Sequence, residues 1–204
     1  MIKFASALCL VAVASASWRP GKCADYPRKA DFDAEKYSGF WYEVVKDRLN
    51  LYELNNSCTT ANYTVNDDGS VGVYNHGYNP KRGYGGITGK AVPSTVSGSG
   101  SLVVEFFGEP DPNQPGNYNI VDTDYETFTI VYDCTDNNAK GLSYVYETFG
   151  VLARDKDISD EKIEEIAAIM KEKVPGYKYD LFTARTKQGG DCEYDFSPMP
   201  SFLQ

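Results

Sequence analysis

Few residues of this chain could take part in covalent or metal chemistry, and the cysteines come first. Cys9 lies in an apolar N-terminal segment, whereas Cys23, Cys58, Cys134 and Cys192 are spread along the rest of the chain. An even number of cysteines in an exported chain is typical of two disulfide bonds. Their spacing lacks the C-x-x-C pattern of zinc sites, which makes a metal site improbable. Four cysteines allow three pairings, and the spacing does not choose among them.

His76 is the only histidine among the 204 residues. A single histidine excludes metal sites made of several histidines and leaves little room for histidine-based acid–base catalysis. Strand alternation points its side chain outward, so we expect a solvated surface residue. With the cysteines assigned to disulfides and no carboxylate pair expected inside the fold, we predict no catalytic residue, no metal, no cofactor and no enzymatic activity.

The first sixteen residues have the features of a secretory signal peptide. Lys3 precedes a short apolar run, and Ala14-Ser15-Ala16 provides the small residues that signal peptidase requires. The run is too short to cross a bilayer, and no other stretch is apolar enough to do so. We therefore predict a signal peptide over residues 1–16 and a secreted, extracellular protein without a transmembrane segment.

Asparagine-linked glycosylation is a further prediction for an exported chain. Asn55-Asn56-Ser57 and Asn62-Tyr63-Thr64 both match the acceptor pattern. Asn62 lies inside a predicted strand, so Asn55, in a predicted loop, is the better candidate.

The charge balance excludes one class of partner. The chain has 20 lysines and arginines against 29 aspartates and glutamates, a net charge of −9. A nucleic-acid-binding protein needs a basic surface, and this sequence has no basic run to provide one. Its 24% charged and 42% hydrophobic residues are ordinary for a folded domain.

Alternating hydrophobic residues between turn signals predict about eight strands. The predicted strands are 37–45, 58–65, 70–76, 87–91, 102–107, 118–122, 126–134 and 142–153, with a connection over 77–86. An amphipathic helix is predicted after Ser159, ending at Pro175-Gly176. Residues 179–182 are predicted as a last short strand. This order predicts an all-β, eight-stranded, antiparallel up-and-down barrel with one C-terminal α-helix, although periodicity alone leaves a β-sandwich open.

Three motifs add a family resemblance. Gly39-Phe40-Trp41-Tyr42-Glu43 enters the first strand, Thr123-Asp124-Tyr125 forms a turn, and Val151-Leu152-Ala153-Arg154-Asp155 ends the last barrel strand. In this order, followed by a capped helix, they resemble the lipocalins, in which they mark the closed end of the barrel. The cysteine positions and Cys23-Ala24-Asp25-Tyr26-Pro27 are similar to the apolipoprotein D-like lipocalins.

The resemblance implies a domain division and specific pairings. It covers Cys23 to Cys192, so we predict a lipocalin domain over 17–192 and a flexible tail over 193–204. It implies disulfides Cys23–Cys134 and Cys58–Cys192. It also implies structural roles at the closed end, where Trp41 plugs the base, Arg154 stacks on its indole and Asp124 accepts backbone hydrogen bonds. Gly39, Thr123 and Tyr125 belong to the same motifs.

The resemblance also fixes which strand positions face inward, and these are mostly apolar or aromatic. The predicted ligand-binding residues are Tyr63, Val73, Ile87, Val104, Phe106, Tyr118, Ile120, Thr129, Tyr146 and Thr148, with Tyr52 and Leu54 at the rim. Thr127 belongs to the wider inward set. Gly89 and Gly150 at inward positions favour empty space, whereas the alternative is a barrel filled by its own side chains.

These observations predict a secreted lipocalin that carries a small hydrophobic molecule such as a lipid, fatty acid, sterol, retinoid or pigment. Two alternatives stay open. One is an interaction protein or protease inhibitor whose surface loops, such as residues 78–84, bind a protease or an unidentified cell-surface receptor. The other is a lipid-modifying enzyme on the same fold.

Overall fold

The computed structural model describes residues 18–50, 55–139 and 141–196. The predicted signal peptide lies outside these ranges, as does the tail beyond residue 196. The described strands are β1 (Trp18–Pro20), β2 (Gly39–Asp47), β3 (Ser57–Val65), β4 (Val71–Asn79), β5 (Gly83–Pro93), β6 (Ser101–Glu105), β7 (Tyr118–Thr123), β8 (Phe128–Ala139), β9 (Leu142–Ala153) and β10 (Thr183–Arg185). The described helices are α1 (Ala34–Tyr37), α2 (Asp160–Lys173) and α3 (Tyr179–Phe182).

Strands β2 to β9 form a closed antiparallel barrel. Each strand pairs with the next along the chain, and β9 pairs back with β2, where Tyr42 faces Ala153. Closure satisfies the strand edges that an open sheet would leave unpaired. The predicted barrel is therefore confirmed, and the sandwich alternative is wrong. The short strands β1 and β10 add to the outside of β9 and β2 respectively.

The tight turn between β3 and β4 shows how local sequence sets the register. Gly69 has a φ of +79°, a conformation that glycine adopts without strain. The amide of Asn66 donates to the carbonyl oxygen of Ser70 at 2.8 Å, and the Asp68 carboxylate accepts from the Ser70 amide at 2.9 Å. The turn aligns Val65 with Val71, so both valines face the same side of the sheet.

Several predicted elements differ from the structure. Residues 77–86 are not a connection, because β4 and β5 continue through them and only residues 80–82 form the turn. The cross-strand pair of Tyr78 and Tyr84 extends the pairing of the two strands even though Gly77 and Gly85 lie beside it. Residues 179–182 form the helix α3, and the final strand is β10, three residues long. The strand β1 and the helix α1 were not predicted.

Helix α2 covers one outer face of the barrel. The Ser159 hydroxyl accepts a hydrogen bond from the Lys162 amide at 3.2 Å and caps the helix, as predicted. Ile166 and Met170, on the face of α2 that meets the barrel, are fully buried. They pack on outward-facing residues of the barrel wall such as Ile130 and Val151. Because this contact is made outside the barrel, the helix stabilises the wall without occupying the interior.

Candidate ligand-binding site

The closed end of the barrel is built around Trp41, whose side chain is completely buried. Its indole nitrogen donates to the Tyr37 carbonyl oxygen at 2.8 Å. The Arg154 guanidinium carbon lies 3.7 Å from the centroid of the Trp41 ring. Such a cation–π contact contributes about 0.5–2 kcal/mol. The indole and the guanidinium together form the floor of the barrel.

Arg154 also fastens the chain segments that meet beneath Trp41. Its guanidinium donates to carbonyl oxygens at distances from 2.9 to 3.3 Å. The acceptors belong to Lys36, Tyr37, Ser38, Phe40 and Tyr125. One side chain therefore joins α1, the start of β2 and the turn between β7 and β8.

Gly39 allows Arg154 to come this close. Its φ is +92°, and a Cβ at this position would lie 3.3 Å from Nη1 of Arg154. A side chain here would add backbone strain to a tight contact, which explains the glycine at the start of β2.

The turn between β7 and β8 is held by Thr123 and Asp124. The Asp124 carboxylate accepts hydrogen bonds from the amides of residues 126, 127 and 128 at 3.1, 2.7 and 3.0 Å. Burial alone would raise the pKa of Asp124, but these amide donors outweigh it and the pKa is lowered. Thr123 donates to the Phe128 carbonyl oxygen at 2.7 Å and accepts from the amide of Tyr125, which has a φ of +68°.

Two disulfide bonds link distant parts of the chain. Cys23 is bonded to Cys134 and Cys58 to Cys192, and these are the pairings that the resemblance implied. Their sequence separations are 111 and 134 residues. Loops of this length correspond to about 4–5 kcal/mol each in the chain-entropy model. The first disulfide fixes the N-terminal segment to β8, and the second fixes the C-terminal segment to β3.

We call the barrel interior the cup, and its lower half is packed. Six of the twelve predicted ligand-binding residues lie in this half, in one cluster with Trp41. They are Tyr63, Val73, Val104, Phe106, Tyr118 and Ile120. Val73 and Ile120 are 2% and 0% exposed. These two side chains therefore fill the base of the cup and leave little surface for a guest.

Gly89 does not leave the empty space that its inward position suggested. A Cβ there would lie 2.6 Å from the Glu105 carbonyl oxygen and 2.7 Å from the Phe106 ring. The Phe106 ring occupies the space over the glycine. The interpretation of Gly89 as a sign of an open cavity is wrong.

The inner face of the barrel is less crowded around Gly150, in the upper half of the cup. Leu152 belongs to the inner cluster, whereas Phe149 and Val151 belong to the outer one, so alternation turns Gly150, Thr148 and Tyr146 inward. A Cβ on Gly150 would meet only the Val45 carbonyl oxygen, at 4.0 Å.

Strand β5, on the opposite wall of the cup, also has inward positions that are not tightly packed. Ala91 belongs to the inner cluster, which turns Ile87 inward by the same alternation, yet Ile87 is 38% exposed. On the same face, a Cβ on Gly85 would meet no atom within 4 Å. An inward isoleucine that is exposed indicates that the upper cup is accessible.

Three other predicted positions need separate mention. Tyr52 and Leu54, the predicted rim, lie outside the described residues. Thr127 does not face inward, because β8 begins only at Phe128 and Thr127 is an exposed residue of the preceding turn. Thr129 is fully buried, and its hydroxyl donates to the Asp122 carbonyl oxygen at 3.5 Å.

A chain of three tyrosine hydroxyls lies at the floor of the cup. The Tyr118 hydroxyl is 2.7 Å from that of Tyr37 and 2.8 Å from that of Tyr63. Burial raises the pKa of Tyr37 to about 12. Burial, followed by the neighbouring Tyr37 and Tyr63 phenols, raises the pKa of Tyr118 well above its ordinary value. Alternation identified Tyr63 and Tyr118, whereas Tyr37, which was predicted to begin the first strand, is the last residue of helix α1.

His76 lies on the outer face of β4, as predicted, and it is only partly exposed to solvent. Its ring stacks on Tyr84 with centroids 5.8 Å apart, and its Nδ1 atom is buried without a hydrogen-bond partner. Residues 193–195 border the same small depression. The Tyr74 hydroxyl donates to the Asp195 carboxylate at 2.8 Å, so the segment after Cys192 contacts this outer wall.

A groove of about 890 Å³ reaches the outside of the barrel between β3, β5 and β6. Lys90 crosses it and contacts Asp68 at 3.3 Å and Glu109 at 3.4 Å. The groove is lined by these charged side chains and also by Val65, Gly89 and Phe106 of the inner face, so it is of mixed character. Among the described residues, no group of three or more His, Cys, Asp and Glu side chains could hold a metal ion. None of the described helices is long and apolar enough to cross a membrane.

The sequence matches the Lipocalin-like domain family over residues 32–187. The chain therefore belongs to the lipocalin family, whose members are typically non-enzymatic carriers of small hydrophobic molecules.

Related sequences come from animals and bacteria. The chain is 36% identical to apolipoprotein D of Rattus norvegicus over 119 residues, which are 58% of this chain and 60% of that protein. It is 30% identical to the Lazarillo protein of Schistocerca americana, covering 81% of this chain and 76% of that one. It is also 32% identical to the outer membrane lipoprotein Blc of Escherichia coli, covering 78% and 86%. The match thus spans about three fifths of the rat protein.

Solved structures show the same fold at lower identity. Insecticyanin of the tobacco hornworm Manduca sexta has a TM-score of 0.71 at 21% identity, covering 88% of this chain and 93% of that one. H1 crustacyanin of the lobster Homarus americanus has a TM-score of 0.65 at 21% identity, covering 86% and 93%.

Proposed function

We propose that this protein is a secreted carrier that holds one small hydrophobic molecule in the upper cup. The observation that supports this most directly is the open space above a packed floor. Ile87 is inward and 38% exposed, and a Cβ on Gly150 would meet only one atom within 4 Å. Transfer of apolar ligand surface from water into such a site contributes roughly 25 cal/mol per Å². Part of this gain offsets the cost of immobilising the ligand.

The carrier proposal implies binding without turnover. His76, the only histidine, lies on the outer face of the barrel next to Tyr84, away from the cup. An enzymatic reaction on a lipid bound in the cup would need an acid–base side chain inside the cup. We therefore infer that the protein releases its ligand unchanged, and that extraction would recover what was loaded.

Secretion and glycosylation belong to the same proposal. Two disulfide bonds are typical of an oxidising compartment, and residues 1–16 resemble a signal peptide. Asn55 is exposed and has a φ of +63°, whereas Asn62 is half-buried within β3. These differences favour Asn55 as the glycan acceptor. Sequencing the N-terminus of the exported protein and mapping its glycopeptides would test both points.

The binding test uses a variant that fills the upper cup. Gly150→Phe places a ring in the open space, and we expect it to weaken binding of a fluorescent retinoid at least about tenfold. The matched control, Thr64→Phe, adds the same ring to the outer face of β3, opposite Gly72, and should leave binding within about twofold. Titration should give a stoichiometry near one for the wild type.

The outcome is interpretable only for folded variants, so each is first checked by its thermal transition. Equal weakening by both substitutions would place the ligand outside the cup. Failure of folded wild-type protein to bind retinoids, fatty acids and sterols alike would support the interaction-protein alternative.

A further inference from the structure

The barrel wall between β2 and β3 is continuous only in its lower half. Among the described residues, β2 pairs with β3 only over residues 39–42. Towards the open end, β2 pairs instead with β10, whose Ala184 faces Lys46. Lys46 in turn pairs with Gly150 of β9, so β10 lies at the height of the upper cup. The upper wall on this side is therefore built from a segment that returns from the C-terminal part of the chain.

We call residues 183–188 the plug, because they join β2 to β3 where these two strands do not pair. The Gln188 side-chain amide donates to the carbonyl oxygens of Glu43 in β2 and Thr59 in β3, at 2.8 Å each. The Cys58 amide of β3 donates to the backbone of the plug at 2.8 Å. These contacts are hydrogen bonds, so the plug itself is held in the wall without a covalent link.

The Cys58–Cys192 disulfide supplies a covalent link immediately beyond the plug and ties it to β3. Cys58 has a φ of +55°, and the register of β3 shifts between Ser57 and Thr60. A left-handed backbone is unfavourable for a residue with a Cβ, and it persists only where the surroundings enforce it. Opening the disulfide would remove one of these constraints from the upper end of β3.

The surroundings of this disulfide favour its reduction in a defined direction. Cys58 is 3% exposed, whereas Cys192 is half-buried, so an attacking thiolate reaches the sulfur of Cys192 first. The Tyr84 hydroxyl lies 3.5 Å from Sγ of Cys58 and donates towards it. A hydrogen bond to the departing sulfur stabilises the Cys58 thiolate, and a more stable leaving thiolate departs faster.

We propose that the plug is a lateral gate of the cup, held closed by the Cys58–Cys192 disulfide and released by a dithiol reductant. With the disulfide open, hydrogen bonds alone keep the plug between β2 and β3. A ligand in the upper cup can then leave sideways through the wall as well as through the mouth. The inference rests on the proposed carrier function and adds a regulated route of release to it.

The reduction consists of two exchange steps. A thiolate of the reductant attacks Sγ of Cys192, which forms a mixed disulfide and expels the Cys58 thiolate. The second thiolate of the reductant then attacks the reductant sulfur of the mixed disulfide and expels the Cys192 thiolate. The two protons of the dithiol end on the two cysteines, so the protein gains two electrons and two protons and the dithiol becomes a disulfide.

The rate of ligand release tests the gate. Wild type is loaded with a fluorescent retinoid, and release is followed by capture of the retinoid in excess phosphatidylcholine vesicles. Combining Cys58→Ser with Cys192→Ser should accelerate release at least about tenfold. The matched control, Cys23→Ser with Cys134→Ser, removes the other long-range disulfide and should change the rate less than about threefold. Dithiothreitol should accelerate release from the wild type and should have little effect on the Cys58/Cys192 variant.

A milder variant keeps both disulfides and therefore tests the gate even where the cysteine variants do not fold. Gln188→Ala removes the two hydrogen bonds that join the plug to both strands, and we expect release to become about threefold faster. Its control, Gln114→Ala, removes a glutamine that contacts Asp111 in the loop between β6 and β7 and should not change the rate. All variants are compared at a temperature below their thermal transitions.

The role of Tyr84 has a separate test. Tyr84→Phe should slow the reduction of Cys58–Cys192 by dithiothreitol about threefold and leave that of Cys23–Cys134 unchanged, as measured by thiol alkylation and peptide mapping. A merely structural role predicts the opposite, because the Tyr84 hydroxyl also bonds to the backbone of residues 191 and 193 and its loss would loosen them. The control, Tyr78→Phe, removes a neighbouring hydroxyl and should change neither rate.

The outcomes separate the gate from the carrier function. Failure of oxidised wild type to bind retinoids, fatty acids and sterols alike would count against the carrier function itself. Normal binding with release unchanged in both the Cys58/Cys192 variant and Gln188→Ala would leave the carrier function standing and overturn the gate. Equal acceleration by the two cysteine variants would also overturn it, because general loosening of the barrel would then explain the release.

Discussion

The two ends of strand β2 belong to opposite ends of the barrel and differ in how their side chains are used. At the closed end, Trp41 is fully buried and Arg154 is bonded to several backbone carbonyls. Towards the open end, the inner face carries Gly150, which pairs with Lys46 and whose Cβ would meet only one atom within 4 Å. The difference teaches that the closed end is held by dense packing and hydrogen bonds, which the upper part of the cup lacks around Gly150. The upper cup can therefore stay open without unfolding the barrel.

The largest expected effect follows from removing the floor. Trp41→Ala deletes a completely buried indole, its hydrogen bond to Tyr37 and its contact with Arg154. We expect a loss of about 3–5 kcal/mol in the free energy of unfolding, measured by denaturant titration.

A double-mutant cycle tests whether Trp41 and Arg154 act as one unit. Arg154→Ala alone should cost less than Trp41→Ala, and the double variant should cost less than the sum of the two, because both single changes remove the same contact. Strictly additive losses would show that the stacking contributes nothing measurable.

A smaller effect distinguishes the packed half of the cup from the open half. Gly89 and Gly150 both face inward, and neither has a positive φ. Gly89→Ala should destabilise the protein by about 1–3 kcal/mol, because its Cβ would meet the Glu105 carbonyl oxygen. Gly150→Ala should be neutral or stabilise by about 0.4–1 kcal/mol, because its site is empty and the unfolded chain loses freedom. Thermal and denaturant unfolding would measure both.

Similar costs for the two alanine variants would contradict the division of the cup into a packed and an open half. Because both substitutions change the unfolded chain equally, the difference between them isolates the space around each Cβ.

The fold was predictable because the strand alternation, the turn residues and the helix cap all indicated the same arrangement. Alternation predicted the barrel strands, residues 66–69 predicted a turn, and Ser159 predicted the start of α2. The strands at Gly77 and Gly85 were missed, since glycine has low strand propensity and the pairing of Tyr78 with Tyr84 acts across strands.

The site was less predictable because it depends on distances between segments. Alternation identifies inward positions, but it cannot show that the Phe106 ring fills the space over Gly89 while Gly150 stays open. Tyr37 was missed because a single helical turn of four residues carries no periodic signal. Its hydroxyl joins Tyr63 and Tyr118 only through the way α1 crosses the base.

The smallest expected effect compares a carboxylate at each end of the barrel. Asp47, on β2 near the open end, accepts from the Tyr177 hydroxyl at 3.0 Å and from the Leu49 amide at 2.8 Å. Burial nevertheless raises the pKa of Asp47 to about 6. Asp124 at the closed end has a lowered pKa because backbone amides outweigh its burial. The two groups should therefore give opposite pH dependences.

A raised pKa in the folded state means that Asp47 favours folding in its protonated form, below about pH 4, and that this contribution is lost as the pH rises through about 6. Asp47→Asn keeps the size of the side chain and removes the charge. It should stabilise the protein by about 1–2 kcal/mol at pH 7.5, after allowance for solvent screening, and by little at pH 4. Asp124→Asn should destabilise at pH 7.5, and its cost should shrink as acid protonates the wild-type carboxylate. Unfolding curves at the two pH values measure both variants, and a destabilising Asp47→Asn at pH 7.5 would show that its two hydrogen bonds outweigh its burial.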